Sequence, residues 1–125
     1  MARGNNPHNG VMISYWVSKP VYASLCKIKK KTGRCLIDIF DVAVKHRLAY
    51  PTMYELDCVD SRPVRRKLRV SKAYAIELAE LAWNAGLSRS RYVADTATLF
   101  LHFIDYSALC NILIHGRDIM NRVLE

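Results

Sequence analysis

Residues that carry most metal and redox chemistry are scarce in this sequence. Of its 125 residues four are cysteines, Cys26, Cys35, Cys58 and Cys110, and none stands in a CxxC pair or beside a histidine at finger-like spacing. Neither a zinc site nor a redox motif is therefore expected, and the cysteines read as reduced thiols, mostly buried. The nearest approach to a ligand pair is Cys110 with His115, five apart on an expected helix, and no metal is assigned to it. His8, His46, His102 and His115 are scattered, with no nucleophile or carboxylate arrangement beside them. With no glycine-rich phosphate loop either, the chain reads as a protein without a cofactor that is not an enzyme. No apolar run approaches the roughly 18 residues that span a bilayer. Met1 to Gly10 is polar and has no signal-peptide core, so a cytoplasmic protein with no membrane partner is expected.

Negative charge is also in short supply. Lysine and arginine total 19 against 11 acidic residues, a formal net charge of +8, and such an excess calls for a polyanionic partner. Nucleic acid is the first candidate and an acidic membrane surface the second. Hydrophobic residues at 51% and charged ones at 24% give the balance of a folded chain. The length suits one compact domain with a shared core better than two independent ones.

The chain contains itself twice. A displacement of 53, the step from Val17 to Val70, also carries Ser18 onto Ser71, Lys19 onto Lys72, Leu25 onto Leu78, Gly33 onto Gly86 and Leu48 onto Leu101. Ile28 with Leu81, Cys35 with Ser88, Ile39 with Tyr92 and Phe40 with Val93 match in class. Each copy shows the same periods in the same order. Alternation comes first, in Val11, Ile13, Tyr15 and Val17 and again in Val64, Leu68 and Val70, which predicts short strands. A serine at the N-cap, Ser18 or Ser71, then opens a helix whose apolar stripe is Val21, Leu25 and Ile28, or Tyr74, Leu78, Leu81 and Ala85. A glycine, Gly33 or Gly86, stops each helix. A second helix follows, carrying Leu36, Ile39, Phe40, Ala43 and Val44 in one copy and Tyr92, Val93, Thr96, Ala97, Phe100 and Leu101 in the other.

This divides the chain into a flexible N-terminal arm at 1–10, a first unit at 11–48, a connecting loop at 49–63, a second unit at 64–105 and a C-terminal helical extension at 106–125. The loop holds two prolines with Asp57, Asp60 and Ser61. The extension carries Leu109, Ile112, Leu113, Ile119, Met120 and Val123, with a break expected near Gly116.

These residues resemble the ribbon-helix-helix DNA-binding proteins, in which a short strand precedes two helices joined by a G-x-S-x-S turn. Lys67-Leu68-Arg69-Val70-Ser71 is similar to the strand, and Gly86-Leu87-Ser88-Arg89-Ser90-Arg91-Tyr92-Val93 to the turn and helix start. The first copy, Gly33-Arg34-Cys35-Leu36-Ile37-Asp38-Ile39-Phe40, keeps the glycine and the apolar pattern but has neither serine. The resemblance implies a mainly α fold with a short two-stranded antiparallel ribbon. Two units in one chain would act as a pseudo-dimer, as in the TraY-like tandem proteins of conjugative plasmids, with an extra C-terminal helix.

The ribbon implied by that resemblance suits the major groove of double-stranded DNA. With Val64, Leu68 and Val70 turned to the core, alternation sends Arg65, Lys67 and Arg69 outward together; on the first strand it sends out Met12, Ser14 and Trp16. These six are the expected base contacts. Chemically unlike strands imply a target without two-fold symmetry. The second-helix N-termini suit phosphates, with Ser88 and the Arg89 amide on one backbone and Cys35 and the Leu36 amide on the other. Arg91, Lys72, Lys19 and Arg34 add charge.

Plainer readings stand beside these. The Arg65, Arg66, Lys67, Arg69 cluster suits a solvated edge strand, Ser88 suits an ordinary helix cap, and the lysines at 27 and 29–31 suit a solvated helix face. The function expected is sequence-specific transcription regulation in a bacterial or plasmid-encoded, nucleoid-associated protein, controlling plasmid or mobile-element transfer genes. The alternatives are a relaxosome-type accessory near a transfer origin and an antitoxin-like module binding a protein through 106–125. Self-association on DNA stays open.

Overall fold

Two strands of eight residues, β1 (Gly10–Val17) and β2 (Val64–Ser71), lie antiparallel and form a two-stranded sheet. Each leads into a pair of helices: α1 (Lys19–Thr32) and α2 (Leu36–Ala49) after β1, α3 (Lys72–Asn84) and α4 (Arg89–Phe103) after β2. A short 3-10 turn (Pro51–Tyr54) follows α2, and α5 (Tyr106–His115) follows α4. The computed structural model describes residues 10–56 and 61–115. The expected arm at residues 1–9, the loop residues Asp57, Cys58 and Asp60, the break near Gly116 and the apolar positions Ile119, Met120 and Val123 lie outside the described residues. So does the side chain of His115. The fold is mainly helical with one small antiparallel sheet, as the hydrophobic periods predict.

Local chemistry places the helix ends. The Ser18 and Ser71 hydroxyls accept from the backbone N–H groups of Val21 and Tyr74 at 3.3 and 3.2 Å, which satisfies a first-turn donor in each helix. Gly33 and Gly86 adopt φ of 70° and 73°, the left-handed conformation that L side chains resist. Nothing lies within 4 Å of a side chain built at either glycine, so conformation and not space demands them. The Gly33 N–H donates to the Lys29 carbonyl in a single-bond cap. The Gly86 and Leu87 N–H groups donate to the carbonyls of Trp83 and Ala82, the paired bonds of a Schellman motif. Ala85, read as part of an apolar stripe, is instead the exposed cap residue that precedes this turn.

The strand register carries the internal repeat into space. Val11 lies opposite Val70, Ile13 opposite Leu68 and Val17 opposite Val64, with Ser14 opposite Lys67. Lys67 is also the residue that the 53-residue displacement makes equivalent to Ser14, so a local two-fold axis passes between them. The packing interlocks across that axis. α2 packs on α4, α4 on β1, α2 on β2 and α1 on α4. Each second helix thus leans on the other unit's strand, and one core runs through both units, including Ile13, Tyr15, Leu25, Phe40, Leu78, Tyr92 and Phe100.

Three expectations need correction or refinement. The cysteines are not mostly buried: Cys26 and Cys35 are exposed and Cys110 alone of the three described is buried. Cys26 follows the buried Leu25 and so turns to the outer side of α1, and Cys35 stands in the turn before α2. The 106–125 extension, expected to be helical, is helical over Tyr106–His115 and is packed against the rest of the fold. Leu109 and Leu113 of α5 join the core, α5 packs on α1, and Arg34 Nε donates to the Leu113 carbonyl at 2.9 Å. Removing it would uncover apolar side chains, each of which contributes about 1.5–3 kcal/mol when buried. Nor is 49–63 merely a connection. Tyr54, in its 3-10 turn, is buried, with its hydroxyl 2.7 Å from His46 Nδ1 and its ring edge-on to Phe103.

Burial holds the His46 pKa below its ordinary value of 6.5. As pH falls through that value the unfolded chain takes up a proton that the folded chain refuses, so folding stability drops until the lower native pKa is reached. Urea unfolding compared at about pH 7.5 and about pH 5.5 is expected to show a loss that His46→Gln reduces; an equal loss in the variant would place the titration elsewhere. Tyr15 gives a second test. Its ring packs edge-on against Phe40 at 5.2 Å, while its hydroxyl is buried with no hydrogen-bond partner and burial pushes its pKa up to about 12. Tyr15→Phe removes an unsatisfied group at little cost in shape, so a gain of about 1 kcal/mol is expected in the same assay. A loss would show that the hydroxyl is satisfied in solution.

Candidate nucleic-acid interface

The sheet has an inner and an outer face because side chains alternate along each strand. Ile13, Tyr15, Val17, Leu68 and Val70 are buried on the inner side. On the outer side three cross-strand rows follow from the register: Met12 with Arg69, Ser14 with Lys67 and Trp16 with Arg65. All six residues expected at base edges therefore share one face. Met12 and Trp16 are 44% and 49% exposed, and Arg65, Lys67 and Arg69 are exposed. The row itself holds Trp16 outward, since Trp16 pairs with Arg65 and an inward turn would need the core register to slip by one residue. Arg65 Nη2 donates to Ser14 Oγ at 3.2 Å, tying two of these rows together.

Arg66 differs from its neighbours. It lies opposite Tyr15, on the inner side of the alternation, and its guanidinium bends back over the Tyr22 ring at 4.4 Å while Nη1 donates to the Arg65 carbonyl. It interrupts the apolar pattern of β2 without adding to the outer rows.

The second-helix N-termini have matched backbones and unmatched side chains. Ser88 and Cys35 hold nearly the same extended conformation, φ −69°, ψ 158° and φ −72°, ψ 156°. Ser88 Oγ accepts from the Arg91 N–H at 3.1 Å, whereas Cys35 makes no side-chain cap bond. Ser88 is thus a helix cap, and the first-turn amides of α4 present a positive dipole end suited to an anion. Lys19 and Lys72 are exposed as the first residues of α1 and α3, and Arg89 is half-buried at the start of α4.

Two expected phosphate contacts are held by partners within the chain. Arg34 reaches back to α5, and Arg91 Nε donates to both carboxylate oxygens of Asp95 at 3.0 Å. The sequence reading missed Asp95 and its second cation, Arg62, whose Nη1 lies 2.6 Å from Asp95 Oδ1. Arg62 and Asp95 are both largely buried, and Arg62 Nη2 is buried with no partner. An arginine next to a helix aspartate four residues on was the available signal for Arg91; nothing in the sequence placed Arg62 beside them.

An open groove of about 460 Å³ joins the two parts of the surface. It is lined by Trp16 of β1, by Ser88, Ser90 and Arg91 at the α4 start, and by Arg62 and Ala94. Among the described residues no group of three histidine, cysteine, aspartate or glutamate side chains is arranged to hold a metal, and no single helix is long and apolar enough to cross a membrane. Comparisons with protein-family models, curated proteins and solved structures found no match.

Proposed function

We propose that this chain is a tandem ribbon-helix-helix protein that binds double-stranded DNA sequence-specifically and regulates transcription, laying the β1–β2 ribbon in the major groove. The observation that carries this reading is the register. It aligns Arg65, Lys67 and Arg69 with Trp16, Ser14 and Met12 on one exposed face, centred on a local two-fold axis. A ribbon of this width fits the major groove, where arginine can bond guanine O6 and N7 together and an apolar group can cover a thymine methyl. A phosphate bound in the groove between Trp16 and the α4 start would then lie next to the base-reading face.

The rows refine the expected asymmetry. Read strand by strand, one strand is basic and the other is not. Read end by end, each end of the ribbon offers one guanidinium and one apolar side chain, Met12 with Arg69 and Trp16 with Arg65. The target on this reading is a near-palindrome whose half-sites each want a guanine beside a thymine, with the order exchanged between them. Control of transfer genes by a nucleoid-associated protein is consistent with this reading; so is an accessory role beside a transfer origin, which needs the same ribbon and a relaxase partner. Gel-shift titration of the DNA upstream of its own operon against random duplex is the direct test. At least a thousandfold preference, roughly 4 kcal/mol, is expected at moderate salt, and equal affinity would overturn the sequence-specific reading.

A further inference from the structure

The largest exposed apolar side chains of α3 lie away from the ribbon's outer rows. Trp83 is 84% exposed and Ile76 60% exposed, and their spacing of seven residues stacks them on one side of the helix with Ala79 and Glu80 between. Ala75, Asn84 and Arg89 complete a shallow depression of about 490 Å³ around them. Arg89 opens α4, so this depression adjoins the turn assigned to phosphate. Among the described residues the packing leaves Trp83 exposed, and a tryptophan is among the residues that most often anchor an interface.

The internal repeat shows what is complementary to that face. The 53-residue displacement carries Ala23, Cys26, Lys27 and Lys30 onto Ile76, Ala79, Glu80 and Trp83, and all eight are exposed. The same face of the fold is therefore built twice with opposite character. α1 carries Lys19, Lys27, Lys29, Lys30 and Lys31 and no acidic residue, whereas α3 carries a single lysine, Lys72, with Glu77 and Glu80 around its apolar stripe. The local two-fold axis that relates the strands relates these faces too, so they stand on opposite flanks.

We infer that α3 of one copy docks on α1 of the next, so that copies associate head to tail. Two α3 faces set against each other would bring Glu77 and Glu80 onto their counterparts, and two α1 faces would oppose lysines with no acidic residue among them. The mixed pairing sets an all-basic helix against one whose acidic residues outnumber its lysine, with Trp83 and Ile76 laid over Ala23, Cys26 and the aliphatic stems of the lysines. A mixed pairing uses different surfaces on each partner and leaves one of each open, so it extends into a row and does not close into a dimer. With the Arg89 turn beside it, a row built in this way would follow a DNA duplex.

Sedimentation velocity on the full chain without DNA, at low salt and over a wide concentration range, tests the contact independently of the DNA reading. Wild type is expected to show a weight-average sedimentation coefficient that rises with concentration and falls back as salt is added. Trp83→Ala is expected to weaken association at least about tenfold, with far-UV circular dichroism unchanged because the side chain lies at the surface. Lys27→Glu with Lys30→Glu, and separately Glu77→Lys with Glu80→Lys, should each abolish association, and an equimolar mixture of these two double variants should restore it. Monomers at every concentration, or charge-reversed variants that associate alone and gain nothing from mixing, would overturn the proposal. So would loss in Trp83→Ala combined with unaltered association in both charge reversals, which describes a symmetric α3 to α3 contact instead. Failure to bind DNA leaves every one of these outcomes readable.

Discussion

Removing both guanidinium groups from the ribbon, in Arg65→Ala with Arg69→Ala, is expected to lower affinity for the specific DNA site by about 2–6 kcal/mol while affinity for random duplex falls far less. Each bidentate arginine–guanine contact contributes roughly 1–3 kcal/mol of discrimination, and the two residues stand at opposite ends of the ribbon, each beside an apolar partner on the other strand. They should act almost independently. Arg65 also donates to Ser14 Oγ, so its removal frees a hydroxyl that can turn to a neighbouring base, and Arg69→Ala is expected to have the larger single effect. Ser88→Ala provides the contrast. It removes the acceptor for the Arg91 N–H at the α4 start and should weaken binding to specific and random duplex alike. Titrations of the double variant, both single arginine variants and Ser88→Ala at one moderate salt concentration check this. If Arg65 and Arg69 can be lost with specific and random affinity unchanged, the ribbon is not the reading surface.

Much of this surface was legible before any coordinates. Alternation at period two fixes the outer side chains of β1 and β2 once the core side is known, and capping chemistry at Ser18, Ser71, Ser88, Gly33 and Gly86 places five helix ends. What alternation could not supply was register. That Ser14 meets Lys67, and therefore that each arginine is paired with an apolar residue, follows from how α2 and α4 pack across the axis. The misread cysteines have a simple cause: residue type predicts burial only on average, whereas helical position decides it for Cys26. Tyr54 was hidden by a different effect, since prolines and acidic residues signal a loop but do not reveal that one aromatic side chain in it fills a gap beside His46. The repeat also concealed differences that matter. Trp83 aligns with Lys30 and Asp95 with Val42, and in both places the second unit has acquired something the first lacks.

Asp95 is the clearest of these, and its loss is expected to be the most destabilising single change outside the apolar core, about 3–5 kcal/mol for Asp95→Ala. The side chain is 11% exposed and accepts from Arg62 at 2.6 Å and from Arg91 at 3.0 Å, so it balances two cations at the point where the chain enters β2 and α4 begins. Taking it away strands the Arg62 guanidinium, already short of one partner at Nη2, in a largely buried position. Arg91 is half exposed and water can replace its share, so Arg91→Ala should cost no more than about 1 kcal/mol. Arg62→Ala should fall between them, because Asp95 would keep Arg91. Urea unfolding gives this order directly, and equal losses for Asp95→Ala and Arg91→Ala would show that Arg62 is solvated. The same aspartate has a consequence for binding. It masks positive charge beside Ser88 in the groove that also holds Trp16, so Asp95→Asn, which retains an acceptor but not the charge, is expected to tighten binding to random duplex and to steepen its salt dependence by up to about one counterion. On this reading Asp95 exchanges general affinity for a fixed Arg62 and Arg91, so the specific-to-random ratio should fall in the variant even where both affinities rise.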